Sequence, residues 1–470
     1  MKFFFFAFIL FSAFGAVGQS RRAVPQNTRP AETATELSVK QMFDEANAYT
    51  KNKFAEFEKK KIPYSENLRL QTEREKKQLA AKYAAQVQAR GEVKGDDLYY
   101  LGLLHWIAEN LDGTSSTLRK YVSHETATPE KAQTARSIIA VVSAKRGTTG
   151  EAVATWNEYQ KSEPKKLTEK SRMANEIAKA FLAAKDFAMA VPFAQEAYSA
   201  AKILAEDPTS RTRGLDELLD SGMLVFESFR DQNKTAEADA ALADMQAVAA
   251  KVSSPTFFYY ASDKLITYQI ETARRPLAME TYLTSLIKAG KELQLKGQQT
   301  EAIDKLKRRE KHYKILQEPA PELVGVNQWF PGEPRSLQSL RGKVILIDFW
   351  ATWCAPCFDA FPSLAEWHQD MGPQGLVILG ATRYYGNADG FSVDKASEVV
   401  SLKRFKEKHR LDYDFLVFDD QQTQMAYGAT ALPTAVLIDR RGKIRYIEAG
   451  TSPSRIEEMR QMILKLLAEE

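Results

Sequence analysis

The chain has 470 residues, 44% of them hydrophobic and 27% charged, with 65 Lys and Arg against 61 Asp and Glu. That length exceeds what one hydrophobic core supports, and the near-balanced charge excludes a wholly disordered chain. A net charge of +4 over so many residues supplies no concentrated basic patch, so no nucleic-acid partner is expected. The only two cysteines are Cys354 and Cys357, so no disulfide framework braces the rest of the chain.

The first residues, MKFFFFAFILFSAFGAVG, place one charge at Lys2 before an apolar run, and end with small Ala16 and Gly18. This predicts a secretory signal peptide over 1–18, cleaved before Gln19. The run is shorter than the roughly 20 residues of a spanning helix; an uncleaved anchor is the alternative. No later stretch is apolar enough to cross a bilayer, so no transmembrane segment is expected after cleavage. The expected location is outside the inner membrane, the periplasm if the source is Gram-negative, where disulfides persist. Pro, Thr and polar residues over 19–36 read as a linker.

Residues 37–317 are rich in Ala, Leu, Lys, Glu and Gln, with breaks at Pro63, Pro129, Pro164, Pro208 and Pro255. Apolar residues recur at helical spacing, as in Leu79, Tyr83 and Val87, or Leu98, Leu101, Leu104 and Ile107. An all-α domain is predicted. In 173–204, Ile177, Ala178, Phe181, Ala190 and Ala197 fall where a tetratricopeptide repeat packs, with Lys185-Asp186-Phe187 as its turn. Fainter echoes lie at 150–159 and 297–307, and both an irregular repeat array and a plain Ala-rich helical domain fit the pattern.

From 318 the texture changes. Pro319, Pro321, Pro331 and Pro334 forbid a continuous helix. The runs VILIDFW, GLVILGAT, FLVFD, TAVLID and KIRYIEAG then read as strands, with helices between them at Pro356–Met371, Lys395–His409 and Ser452–Glu470. Residues 318–470 form an α/β domain on this reading.

The chemistry concentrates in DFWATWCAPCFDAFP, Asp348 to Pro362. Cys354 and Cys357 at the start of a helix can close a small disulfide ring, and an exposed first cysteine there gains thiolate character from unpaired N–H groups. Pro356 fits the first turn, whereas Pro362 is expected deeper in the helix, kinking it. A zinc site would need a second ligand pair, and His368 and His409 lack the spacing. A peroxidatic cysteine would call for Thr or Ser and Pro where Ala351 and Ile347 stand. A purely structural bridge would brace almost no chain.

This stretch resembles the thioredoxin superfamily active site. The PAPELVG lead, the SLRGKVILIDFWATWCAPC core and the downstream ALPTAVLIDRRGKI make residues 318–470 similar to TlpA/ResA-like thiol–disulfide oxidoreductases. The resemblance implies a thioredoxin-like fold, with Cys354 attacking and Cys357 resolving. It implies Leu432-Pro433 as a cis-proline step beside the site; a strand-start proline is the plainer reading. Asp348 falls where thioredoxin has its buried carboxylate, and burial would raise its pKa and let it take a proton from Cys357. A solvated strand-end Asp is the alternative. Trp350 and Trp353 are expected around the pair, with Trp353, Leu432 and Pro433 contacting substrate, although core packing also accounts for Trp350. Many relatives carry Glu where Ala360 stands, and Asp359 points elsewhere, which puts the acid–base tuning tied to that Glu in question. The loop Arg383 to Lys395 reads as a surface loop, either solvent-facing or lining a substrate groove.

The expected function is therefore an exported reductase of protein disulfides, working through a mixed disulfide, with no cofactor and no metal ion. A membrane thiol donor of the DsbD/CcdA type is the partner the resemblance implies for recharging. The competing readings are a helical-repeat binding protein with an accessory redox domain, and a disulfide oxidase or isomerase.

Overall fold

The computed structural model describes residues 36–207 and 209–469. The expected signal peptide, the linker up to residue 35 and the break at Pro208 lie outside the described residues. The described residues fall into two compact units, 36–93 with Leu103–Glu109, and Lys94–Gly102 with 110–207 and 209–469.

The first unit contains α1 (Val39–Lys59), α2 (Glu66–Ala89) and the end of α3 (Asp96–Ile107). Ser38 opens α1 through a capping box with Gln41, satisfying two otherwise orphaned N–H groups. Met42 and Ala46 of α1 and Ala80, Tyr83, Ala84 and Val87 of α2 are buried, the helical spacing read from the sequence.

The second unit begins with the first turns of α3 and continues through α4 (Leu111–Val122), α5 (Pro129–Lys145), α6 (Thr149–Lys161), α7 (Leu167–Ala183) and α8 (Phe187–Glu206). It goes on with α9 (Arg211–Arg230), α10 (Thr235–Lys251), α11 (Pro255–Glu271), α12 (Arg275–Glu292) and α13 (Lys296–Ile315). From α4 onward helices pack on their sequence neighbours, and α5 on α7, α7 on α9 and α11 on α13 as well. Close approach rests on alanine: Ala174, Ala178, Ala190, Ala194 and Ala197 are wholly buried where α7 and α8 meet. Between these two helices Lys185 adopts φ 59° and Asp186 caps α8 by accepting from Met189 N at 3.2 Å. No described helix is long and apolar enough to cross a membrane.

Beyond α13 comes a six-stranded mixed sheet. Its strands are β1 (Val326–Phe330), β2 (Val344–Phe349), β3 (Leu376–Arg383), β6 (Asp414–Phe418), β7 (Thr434–Ile438) and β8 (Ile444–Ala449), in the order β1-β6-β3-β2-β7-β8. A two-residue hairpin, β4 (Asn387–Ala388) and β5 (Phe391–Ser392), lies in the loop after β3. The helices are α14 (Phe361–Met371), α15 (Lys395–Lys408), α16 (Gln422–Ala426) and α17 (Pro453–Ala468). β2 runs parallel to β3 and antiparallel to β7, and all six of its residues are buried, which is why its sequence is a nearly unbroken apolar run. An all-α region followed by an α/β domain built on a mixed sheet is thus the architecture.

Two local differences from the sequence reading stand out. The proline-rich stretch after 318 holds a strand: Val326–Phe330 fits between Pro321 and Pro331 and pairs antiparallel with β6 at the sheet edge, where flanking prolines are tolerated. The expected single helix Pro356–Met371 is instead a 3-10 turn, Ala355–Asp359, followed by α14.

Candidate active site

β2 delivers the motif. Trp350 N donates to Ala381 O at 3.0 Å just past the strand, and Cys354 then caps the 3-10 turn, its carbonyl accepting from Cys357 N at 3.0 Å. Pro362 does not kink a helix; it stands in the first turn of α14, where a residue without N–H leaves no hydrogen bond broken. The dipole behind Cys354 is accordingly that of a five-residue turn rather than of a long helix.

Cys354 and Cys357 are joined in a disulfide with Cα atoms 5.4 Å apart. Cys357 is fully buried and Cys354 is only 4% exposed, against the expectation of an exposed first cysteine. The closed ring packs both residues into one apolar cluster with Trp350, Phe361 and Leu364, which covers them. Trp350 is a core residue of that cluster, stacked on Phe405 with centroids 5.2 Å apart and edge-on to Phe361.

Alternation along β2 sends Asp348 to the same face as Leu346 and Trp350, both members of the cluster that holds the cysteines. Asp348 is 3% exposed, its Oδ2 has no hydrogen-bond partner within the protein, and burial pushes its carboxyl up to about 7. The Tyr413 hydroxyl is likewise buried without a partner, and its pKa is raised by desolvation and then by the Asp348 charge. Tyr413 was not legible as a site residue, since 65 residues separate it from Asp348.

Trp353 faces outward, 61% exposed. Its ring meets Tyr385 edge-on at 5.4 Å, and the Arg383 guanidinium lies 4.2 Å from the Tyr385 centroid. The 383–395 loop therefore adjoins the site. It is held there by Glu398 of α15, 4% exposed, which accepts from Tyr385 N at 2.8 Å and Gly386 N at 3.0 Å. The Leu432–Pro433 peptide is cis. Leu432 packs on the cysteine cluster, Pro433 O accepts from Gly450 N at 2.7 Å, and the next residue, Thr434, is in register with Phe349 at the end of β2.

The AhpC/TSA family profile matches residues 316–447. Thiol-disulfide oxidoreductase ResA of Geobacillus thermodenitrificans is 31% identical over 120 residues, covering 26% of this chain and 62% of the relative, short of two thirds of its length. ResA of Geobacillus kaustophilus is 30% identical over 132 residues, 28% of this chain and 68% of the relative. The chain belongs to the ResA-type thiol–disulfide oxidoreductases. A thioredoxin-like protein solved in its oxidised form is 26% identical, over 33% of this chain and 97% of that one, with a TM-score of 0.28.

The position after Asp359 is apolar here. Ala360 is 6% exposed inside the apolar cluster, so the helix that carries Cys357 supplies no carboxylate at that place, and Asp359 points to solvent. Among the described residues no group of His, Cys, Asp and Glu is arranged to hold a metal ion.

Proposed function

We propose that this chain is an exported reductase of protein disulfides. The observation that carries the proposal is the disulfide between Cys354 and Cys357 at the turn from β2 into the 3-10 helix. It is the oxidised end of the cycle. Once reduced, the Cys354 thiolate attacks one sulfur of a substrate disulfide, forming a mixed disulfide and releasing the other substrate sulfur as a thiolate. Asp348, as carboxylate, takes the proton of Cys357. The Cys357 thiolate then attacks Cys354 Sγ, expelling the second substrate thiolate and restoring the Cys354–Cys357 bond. Two electrons pass to the substrate, and a membrane thiol donor of the DsbD/CcdA type returns them.

Trp353, Leu432 and Pro433 form the docking edge, the aromatic ring offering apolar contact and the backbone before β7 offering groups for an extended substrate segment. In this reading Cys357→Ala accumulates mixed disulfides with client proteins, detected as added mass that dithiothreitol removes. Cys354→Ser forms none and fails to reduce insulin. Equal insulin reduction by Cys354→Ser and wild type would sink the proposal.

A further inference from the structure

The last helix of the all-α region reaches the segment that carries Pro433. Arg309 on α13 is 8% exposed and donates from Nε to Asp263 Oδ1 of α11 at 2.9 Å. Its NH1 donates to Ile447 O of β8 at 2.8 Å and lies 2.9 Å from His312 Nδ1. His312, 4% exposed, places Nε2 2.9 Å from Gly428 O. Gly428 ends the turn after α16 and begins the short connection to the cis peptide at Leu432–Pro433.

The chemistry of these partners fixes the ring. A guanidinium only donates, so Nδ1 accepts from Arg309, and the single ring proton sits on Nε2, where it donates to the Gly428 carbonyl. Burial, and then the Arg309 charge, lower the His312 pKa to about 4, so the ring is neutral where the protein would work. The contact is also tight, since a Cβ on Gly428 would lie 2.8 Å from His312 Cδ2. From there the backbone is tied onward: Thr430 N donates to Gly428 O at 2.9 Å, and Gln424 Nε2 to Ala429 O at 2.7 Å.

We propose that His312 is a positioning residue, through which the helical region sets the backbone at 428–433 against which a protein substrate docks. The inference rests on the reductase reading above and adds a role for the helical region in it. A small disulfide needs only the Cys354–Cys357 dithiol and no extended backbone contact, whereas a protein substrate needs both. His312 should therefore govern one and not the other.

The test compares H312N and H312Q in the full chain. The Asn oxygen can still accept from Arg309, but its side chain is too short to reach Gly428 O; the Gln amide can reach Gly428 and donate. H312N should raise KM for insulin roughly fivefold to tenfold, the size of one lost hydrogen bond, with the rate on 2-hydroxyethyl disulfide unchanged. H312Q should restore the insulin KM. Equal insulin KM in wild type and H312N, or a parallel loss on both disulfides, would overturn the inference. Nitrogen-15 NMR of the wild type gives a reading independent of variant folding: a His312 proton on Nδ1 also overturns it. A wild type inactive on both disulfides overturns the reductase reading and this inference together.

Discussion

Trp353 stands perpendicular to Tyr385, the ring planes at 89° and the centroids 5.4 Å apart. The contact joins the dithiol motif, through an indole that is itself exposed, to a loop that begins thirty residues downstream. Edge-to-face aromatic pairs contribute about 0.5–1.5 kcal/mol beyond their buried area. Tyr385→Ala should free the indole, lowering its fluorescence anisotropy, and should raise the insulin KM by roughly twofold to tenfold. Unchanged anisotropy would show that Trp353 is held by something else.

Asp348 makes a pH prediction with a definite sign. Burial pushes its carboxyl up to about 7 in the fold, against the ordinary 3.8. Below about pH 4 both folded and unfolded chains hold the proton, and burial of the neutral acid carries no ionisation penalty. Between there and 7 only the folded chain keeps it, so stability falls as pH rises; above 7 the penalty is constant. At about 1.4 kcal/mol per tenfold, the full penalty is roughly 4 kcal/mol. Asp348→Asn should then be more stable than wild type at pH 8, with the difference vanishing near pH 4 in urea titrations. The same substitution should remove the rise in turnover through pH 7 that a carboxylate base produces.

Glu398 anchors the 383–395 loop through two backbone N–H groups. Hydrogen bonds to an ionised acceptor contribute about 1.5–3 kcal/mol each. Glu398→Ala should expose the amides of Tyr385 and Gly386 to hydrogen exchange at least tenfold faster, while amides of β2 exchange as before. A loop equally protected in the variant would mean that the Trp353–Tyr385 contact alone holds it.

Gly428 and Gly147 separate crowding from backbone strain. Both have positive φ, 68° and 75°, but a Cβ at Gly428 meets His312 Cδ2 at 2.8 Å and Lys311 Cγ at 2.9 Å, whereas at Gly147 nothing lies within 4 Å. Gly147→Ala should cost about 1 kcal/mol, the left-handed penalty alone. Gly428→Ala should cost at least twice that, as a lower thermal midpoint, because α13 must move as well.

The large features were legible because they depend on local pattern. Val344 to Phe349 is apolar at every position but one, which marks a central strand, and the company of the single exception, Asp348, favoured a buried acid over a solvated strand-end one. The Cys354–Cys357 pair was legible from its spacing at a helix start, with the motifs around it and no second ligand pair nearby to suit zinc. The helix hairpin at Lys185 to Phe187 was visible in its turn residues. What the sequence could not carry was contact across distance: Tyr385 against Trp353, Tyr413 near Asp348, and His312 on Gly428 have no local signature. Pro362 misled for a different reason. A proline in a helical stretch marks either a kink or a fresh start, and only the 3-10 geometry of Ala355–Asp359 decides which.

These 470 residues hold no third sulfhydryl beside the Cys354–Cys357 pair. A reduced molecule therefore stores a single pair of electrons, with no internal relay to refill it. Mixed with excess oxidised client and no donor, each chain should convert one equivalent and stop, so the size of that first burst counts the competent molecules.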